Sequence, residues 1–146
     1  MVNVSELSGL PLRRAYCEAA GYKLYKGRRF YVYAISKTGT HREFDPHGFE
    51  ILPLSAVDQD KRVDLIRLYA PPVESDASVS ERELDELCKQ HGWHWEVSNL
   101  SELTSMYFCE IRAAGAAKIA CEDGSDASEA RARAMTQALL SLQEKH

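Results

Sequence analysis

The feature that most constrains this fold is the residue pattern of its second half. Apolar side chains recur at helical spacing from Leu84 to His91, and Gly92 follows at the position of a left-handed helix end. Ser80 and Glu83 have the spacing of a capping box, which marks the start of many helices. The pattern therefore predicts a helix that begins at residue 80 and ends at Gly92.

Three short segments rich in aromatic or β-branched residues follow, which is typical of strands. They cover residues 93–98, 105–113 and 116–122. Alternate side chains of a strand share one face, which places Ala117, Ile119 and Cys121 together on the third strand. A last helix is expected from about residue 125 to residue 143. Small residues give it a face that allows close packing on a sheet: Ala130, Ala134 and Ala138.

The first half has weaker patterns. Residues 8–21 predict a helix with a proline in its first turn and an end at Gly21. Residues 29–36 predict a strand and residues 44–52 a returning strand. Residues 55–70 fit a helix or a strand equally well, so both remain open.

These elements predict one α+β domain over residues 1–146, with helices packed on an antiparallel sheet in the order α-β-β-(β or α)-α-β-β-β-α. Residues 1–70 supply a helix and a hairpin, and residues 71–79 a loop that opens with two prolines. Residues 80–143 supply the α-β-β-β-α region. A chain of 146 residues is long enough to bury an ordinary core.

The composition favours a cytoplasmic globular protein. Hydrophobic residues make up 45% of the chain and charged residues 27%, and charges interrupt the apolar runs, so neither a membrane segment nor a signal peptide is expected. No Cys-x-x-Cys pair occurs, which favours reduced, buried cysteines: Cys17, Cys88, Cys109 and Cys121. The run Cys88, His91, His94 lacks a nearby fourth ligand, so no metal or other cofactor is expected.

Charge is unevenly distributed along the chain. Residues 80–146 hold seven Lys and Arg against twelve Asp and Glu, whereas residues 13–42 hold eight basic residues and one acidic residue. Basic side chains interleaved with tyrosines are common at binding interfaces. The candidate partner-binding residues are Arg13, Arg14, Lys23, Tyr25, Lys26, Arg28, Arg29 and Arg42. A second candidate surface consists of acidic residues: Glu81, Glu83, Asp85, Glu86 and Asp123.

The run Leu84-x-x-Leu87-Cys88-x-x-x-Gly92-Trp93, followed later by Gly124-Ser125 and Ala130-Arg131, resembles the double-stranded-RNA-binding domain. The resemblance covers residues 80–143 and implies an α-β-β-β-α fold. That family contacts RNA through a basic cluster at the start of its second helix, where Arg131 is the one basic residue here. Because this half of the chain is acidic, we expect the topology without RNA binding.

A second resemblance covers most of the chain except residues 40–78. A helix that ends Gly21-Tyr22-Lys23, a helix that runs through Gly92-Trp93 into an aromatic strand, and a closing helix over residues 128–140 resemble the phage ABA sandwich domain, a family of small proteins from tailed phages and prophages. The resemblance implies an accessory protein of a phage or mobile element.

The sequence carries no nucleophile-elbow, phosphate-loop or paired-carboxylate motif, so we expect that the chain is not an enzyme. The preferred hypothesis is a non-enzymatic protein-binding module that inhibits or modulates a host protein, such as a defence protein. One alternative is a nucleic-acid-binding protein that uses residues 13–42. Another is a small enzyme that uses His91, His94 and Glu96. The sequence leaves homo-oligomer formation open.

Overall fold

The structure, a computed structural model, describes residues 3–28, 33–37, 48–59, 64–99, 106–115 and 117–144. Within them, the α-helices are Gly9–Ala20 (α1), Leu65–Tyr69 (α2), Ala77–His91 (α3) and Ala127–Glu144 (α4). The strands are Lys23–Gly27 (β1), Tyr33–Ser36 (β2), Phe49–Leu52 (β3), His94–Asn99 (β4), Tyr107–Arg112 (β5) and Lys118–Gly124 (β6). Short 3-10 helices cover Val4–Glu6 and Leu54–Gln59. No helix in these ranges is long and apolar enough to span a membrane.

The predicted α+β class is confirmed, with strands divided between two antiparallel sheets. The first sheet has the order β2-β1-β3 and the second the order β4-β5-β6. Strands β2 and β3 lie in the two segments that were expected to form strands in the first half. Each of them pairs with β1, and they do not pair with each other. The region that fitted a helix or a strand is helical where the structure describes it, over Leu54–Gln59 and α2.

The predicted start of α3 is wrong by one turn. Asp76 is the N-cap residue, and its side chain accepts a hydrogen bond of 3.2 Å from the backbone N–H of Val79. Since aspartate is a strong N-cap residue, the helix starts earlier and residues 77–79 do not belong to a loop. Ser80 and Glu83 consequently lie inside the helix and are buried, so they form no capping box. The predicted end is correct, because Gly92 has a φ of 69°.

The predicted face of β6 is also wrong, because the pairing between β5 and β6 is irregular. Ile111 is opposite Ala120 but Arg112 is opposite Lys118, which leaves Ile119 as an extra residue in β6. Such a bulge reverses which side chains face the core. Ala120 is therefore buried, whereas Cys121 is exposed rather than buried.

Helix α4 lies at the centre of the hydrophobic core. It packs against all three strands of the second sheet and also against α1 and α3. Its fully buried apolar residues are Ala130, Ala132, Ala134, Met135 and Ala138. The same cluster includes Leu12 of α1 and Leu24 of β1, so residues from both halves of the chain share one core.

Gly124, at the end of β6, is expected to tolerate no side chain. A Cβ atom there would lie 2.5 Å from the backbone nitrogen of Ala130, an approach that requires the first turn of α4 to shift. We predict that Gly124→Ala lowers the free energy of unfolding by about 1–3 kcal/mol, measured by urea denaturation. Ala114→Ser, at an exposed turn position, is the control and should change it by less than about 0.5 kcal/mol. Equal stability of the two variants would contradict this packing.

Candidate functional site

Arg13, the first of the predicted partner-binding residues, is buried rather than available to a partner. Its Nε donates to Oε1 of Glu74 at 2.6 Å and its Nη2 donates to Oε2 at 2.9 Å. Its Nη1 also donates to the backbone carbonyl of Arg67 at 3.3 Å. A guanidinium that binds both carboxylate oxygens is held in one geometry. Arg13 therefore links α1 to the segment that precedes α3.

The pKa values of this pair agree with a structural role. The hydrogen bond with Glu74 raises the pKa of Arg13, against the opposing effect of burial. Burial alone would raise the pKa of Glu74, but the hydrogen bonds that its carboxylate accepts, the largest from Arg13, hold that pKa below the ordinary value. Both groups are therefore charged in the folded protein at neutral pH.

The other predicted partner-binding residues that the structure describes differ in their exposure. Arg14 is half-buried and pairs with Glu18 at 3.1 Å. Tyr25 is only 2% exposed and packs edge-on against the ring of Phe49, so it belongs to the interior. The described basic residues at the surface are Lys23 and Arg28, with Lys26 half-buried. Arg29 and Arg42 lie outside the described residues.

The residues of the enzyme hypothesis lie at the end of α3 and on the exposed face of β4. The exposed ring of His91, at the end of α3, stacks on Trp93 with 4.5 Å between ring centroids. His94 and Glu96 are exposed residues of β4. Because they are two residues apart on one strand, His94 and Glu96 share a face.

The cysteines and histidines of the described ranges do not form a metal site, since no three His, Cys, Asp or Glu side chains there converge on one position. His41 and His47 lie outside those ranges. Burial raises the pKa of Cys88 to about 11. Burial likewise raises the pKa values of Cys17 and Cys109 to about 12, so these thiols are protonated and unreactive at neutral pH.

Arg131, the basic residue at the position of the RNA-contacting cluster, is bound within the protein. Its Nη1 donates to Oγ of Ser80 at 2.8 Å and its Nη2 to Oε1 of Glu81 at 3.1 Å. Its guanidinium also lies 5.7 Å from the ring centroid of Trp95. The side chain therefore joins α4 to α3 instead of reaching a nucleic acid.

Three residues of the acidic candidate surface, Asp85, Asp123 and Glu86, differ in whether they bond other residues of the protein. Asp85 accepts a hydrogen bond of 2.7 Å from the indole N–H of Trp95. Asp123 is 3.5 Å from Nη1 of Arg133. Glu86, by contrast, is exposed and forms no ion pair with any other described residue. Glu86 is thus the member of the acidic set that remains available at the surface.

Glu83 is a buried carboxylate that accepts hydrogen bonds from two residues beside strands of the first sheet, Tyr22 before β1 and Lys37 after β2. It is 4% exposed, and its Oε1 accepts a short hydrogen bond from the hydroxyl of Tyr22. Its Oε2 accepts a hydrogen bond of 3.1 Å from Nζ of Lys37, which also lies 5.1 Å from the ring centroid of Tyr22. Burial and the bond to Glu83 raise the pKa of Tyr22 well above its usual range, so its hydroxyl remains the proton donor.

This network opens into a groove where β2, α2 and α3 meet. The groove has a volume of about 320 Å³. Its lining residues are Tyr22, Ile35, Ser36, Lys37, Tyr69, Pro71, Arg82, Glu83 and Glu86. Pockets for small ligands begin at about 300 Å³, so this groove has room for one side chain or a molecule of similar size.

Two large apolar side chains at the end of α2 are exposed, and Tyr69, the second of them, forms an edge of the groove. Leu68 is 62% exposed and Tyr69, which lines the groove, is 41% exposed. Neighbouring apolar side chains that remain exposed next to a concave surface are typical of an interaction site. The groove and this edge form the candidate functional site.

Sequence reasoning assigned Glu83 to a helix cap and to the acidic candidate surface, and so missed its burial beside this groove. The signal was present in the spacing: Ser80, Glu83 and Leu87 lie three and four residues apart, which places them on the buried stripe of α3. A carboxylate on such a stripe requires internal partners. The identity of those partners depends on tertiary contacts that spacing does not reveal.

Comparisons of the chain with protein-family models, with curated proteins and with solved structures found no match.

The adjacent arginines of α1 allow a matched test of the buried pair. We predict that Arg13→Gln lowers the free energy of unfolding by about 3–5 kcal/mol, because it leaves the carboxylate of Glu74 buried without its cation. Arg14→Gln removes a partly exposed pair with Glu18 and should cost less than about 1 kcal/mol. Chemical denaturation monitored by circular dichroism measures both values. Similar losses in the two variants would contradict the assigned role of Arg13.

The lowered pKa of Glu74 also predicts a pH dependence of stability. A carboxylate whose pKa falls on folding stabilises the protein above its unfolded pKa, here the ordinary value of 4.5, and this contribution disappears as the pH falls through the folded pKa. The stability difference between the wild type and Glu74→Gln should therefore be constant near neutral pH and shrink below about pH 4.5. Denaturation midpoints measured from pH 3 to pH 7 test this, and a constant difference would contradict it.

Proposed function

We propose that this chain is a non-enzymatic protein-binding module. Its contact surface consists of Leu68, Tyr69 and the exposed face of α3 beside the groove. The observation that carries the proposal is the exposure of these two consecutive apolar side chains, 62% and 41%, of which Tyr69 lines the groove. Apolar side chains that a partner covers on binding contribute affinity because they leave water.

The charge of α3 favours a partner with a basic surface. The exposed residues of the helix include three acidic and two basic side chains. The acidic ones are Glu81, Asp85 and Glu86, and the basic ones are Arg82 and Lys89. Complementary charge steers partners together and excludes acidic competitors.

The resemblance to the phage ABA sandwich domain makes this proposal more specific. We propose that the chain is an accessory protein of a phage or prophage and that its partner is a host protein, such as a defence protein that it inhibits or modulates. An acidic surface suits such a role, because it can cover a basic nucleic-acid-binding site on the host protein.

The test is affinity capture from a bacterial lysate treated with nuclease, with three versions of the chain. We expect the wild type to retain a stoichiometric protein partner and Leu68→Ser/Tyr69→Ser to lose it. Met106→Ser is the matched control, because Met106 is a similarly exposed apolar residue outside the proposed surface. It should retain the partner.

Two results would contradict the proposal. Retention of the same partner by Leu68→Ser/Tyr69→Ser would remove the groove edge from the interface. Loss of all bound material after nuclease treatment, with capture in its absence reduced in Lys23→Ser/Arg28→Ser, would favour the nucleic-acid alternative.

A further inference from the structure

The groove already contains one bound cation, which belongs to the chain itself. The ammonium of Lys37 bonds the carboxylate of Glu83 at 3.1 Å and lies 5.1 Å from the centroid of the Tyr22 ring. A carboxylate combined with an aromatic face is a recurring recognition site for organic cations. The geometry of Lys37 therefore shows which ligand chemistry the groove accommodates.

The two partners of this ion pair differ in how firmly they are held. The side chain of Glu83 is 5% exposed and is fixed by the hydroxyl of Tyr22, whereas the side chain of Lys37 is 33% exposed at the end of β2. Lysine is a compact charge on a flexible stem. Lys37 can thus return to water while the carboxylate remains in place.

A guanidinium generally binds a carboxylate with more hydrogen bonds than an ammonium does. Its planar fork donates two parallel hydrogen bonds to one carboxylate, while an ammonium acts as a point charge. Once Lys37 has left, the groove is lined by the carboxylates of Glu83 and Glu86 and by one cation, Arg82. One incoming positive charge then makes the net charge of the groove lining zero.

We propose that the groove binds an arginine side chain of the partner, whose guanidinium replaces the ammonium of Lys37 on Glu83. The identity of the partner rests on the proposed function. The guanidinium site does not, because a small probe can occupy it without any partner.

The experiment titrates N-acetyl-arginine amide into the wild type and Lys37→Met by isothermal calorimetry. Lys37→Met removes the competing ammonium and leaves Glu83 without its cation, so we expect it to bind the probe about tenfold more tightly than the wild type. N-acetyl-citrulline amide, which has nearly the same shape without the charge, should bind neither protein. The probe should also raise the melting temperature of Lys37→Met.

Two further variants define the site. Lys37→Met/Glu83→Gln removes the carboxylate as well, and we expect it to lose the gain in affinity. Lys37→Arg supplies a guanidinium from within, so the probe should not bind it although the protein remains folded. If Lys37→Met fails to fold, the wild type and Lys37→Arg are compared instead. We then expect the probe to bind the wild type and not Lys37→Arg.

The proposal is overturned if the probe binds the wild type and Lys37→Arg equally, if it binds neither the wild type nor Lys37→Met, or if citrulline amide binds as well as arginine amide. Probe binding without capture of any protein partner would support the guanidinium site while contradicting the proposed function. Partner capture without probe binding would contradict the guanidinium site alone.

Discussion

The close packing of α4 is the constraint on which the rest of this structure depends. Four of its alanines, from Ala130 to Ala138, are completely buried, and Gly124 approaches the backbone of its first turn too closely to allow a Cβ atom. Small side chains let one helix contact a sheet on one side and two further helices on others. Both α1 and α3 pack on α4, and Tyr22 and Lys37, which flank strands of the first sheet, bond Glu83 of α3 beside the groove.

Charged side chains connect the elements that surround this core. Arg13 and Glu74 join α1 to the segment before α3, Arg131 joins α4 to α3, and Glu83 joins α3 to Tyr22 and Lys37. Each buried charge is costly to desolvate and is stable only with its partner in place. These pairs therefore favour one arrangement of the helices over others, and much of the charge in the sequence serves the fold rather than a binding surface.

A feature could be predicted from the sequence where it depends on local structure, and could not where it depends on contacts with distant residues. The helix ends at Gly21 and Gly92 were predictable, because they depend on the local backbone requirement for a left-handed residue. The burial of Arg13 was not predictable, since its partner lies 61 residues further along the chain. The exposure of Cys121 depends on a bulge between two strands, which no pattern within one strand indicates. Local rules thus predicted most of the elements, though not strand β1, and long-range contacts determined the candidate site.

The ion pair of Lys37 and Glu83 differs from the other internal pairs in a way that matters for function. Both groups of the Arg13–Glu74 pair are buried, so exchange with an external ligand would require opening the core. In the Lys37–Glu83 pair only the carboxylate is buried, and the ammonium keeps part of its contact with water. Departure of the ammonium returns it to water, and its cost lies in the vacated carboxylate, which requires a new cation. The same interaction can stabilise the free protein and provide a binding position for a partner's guanidinium.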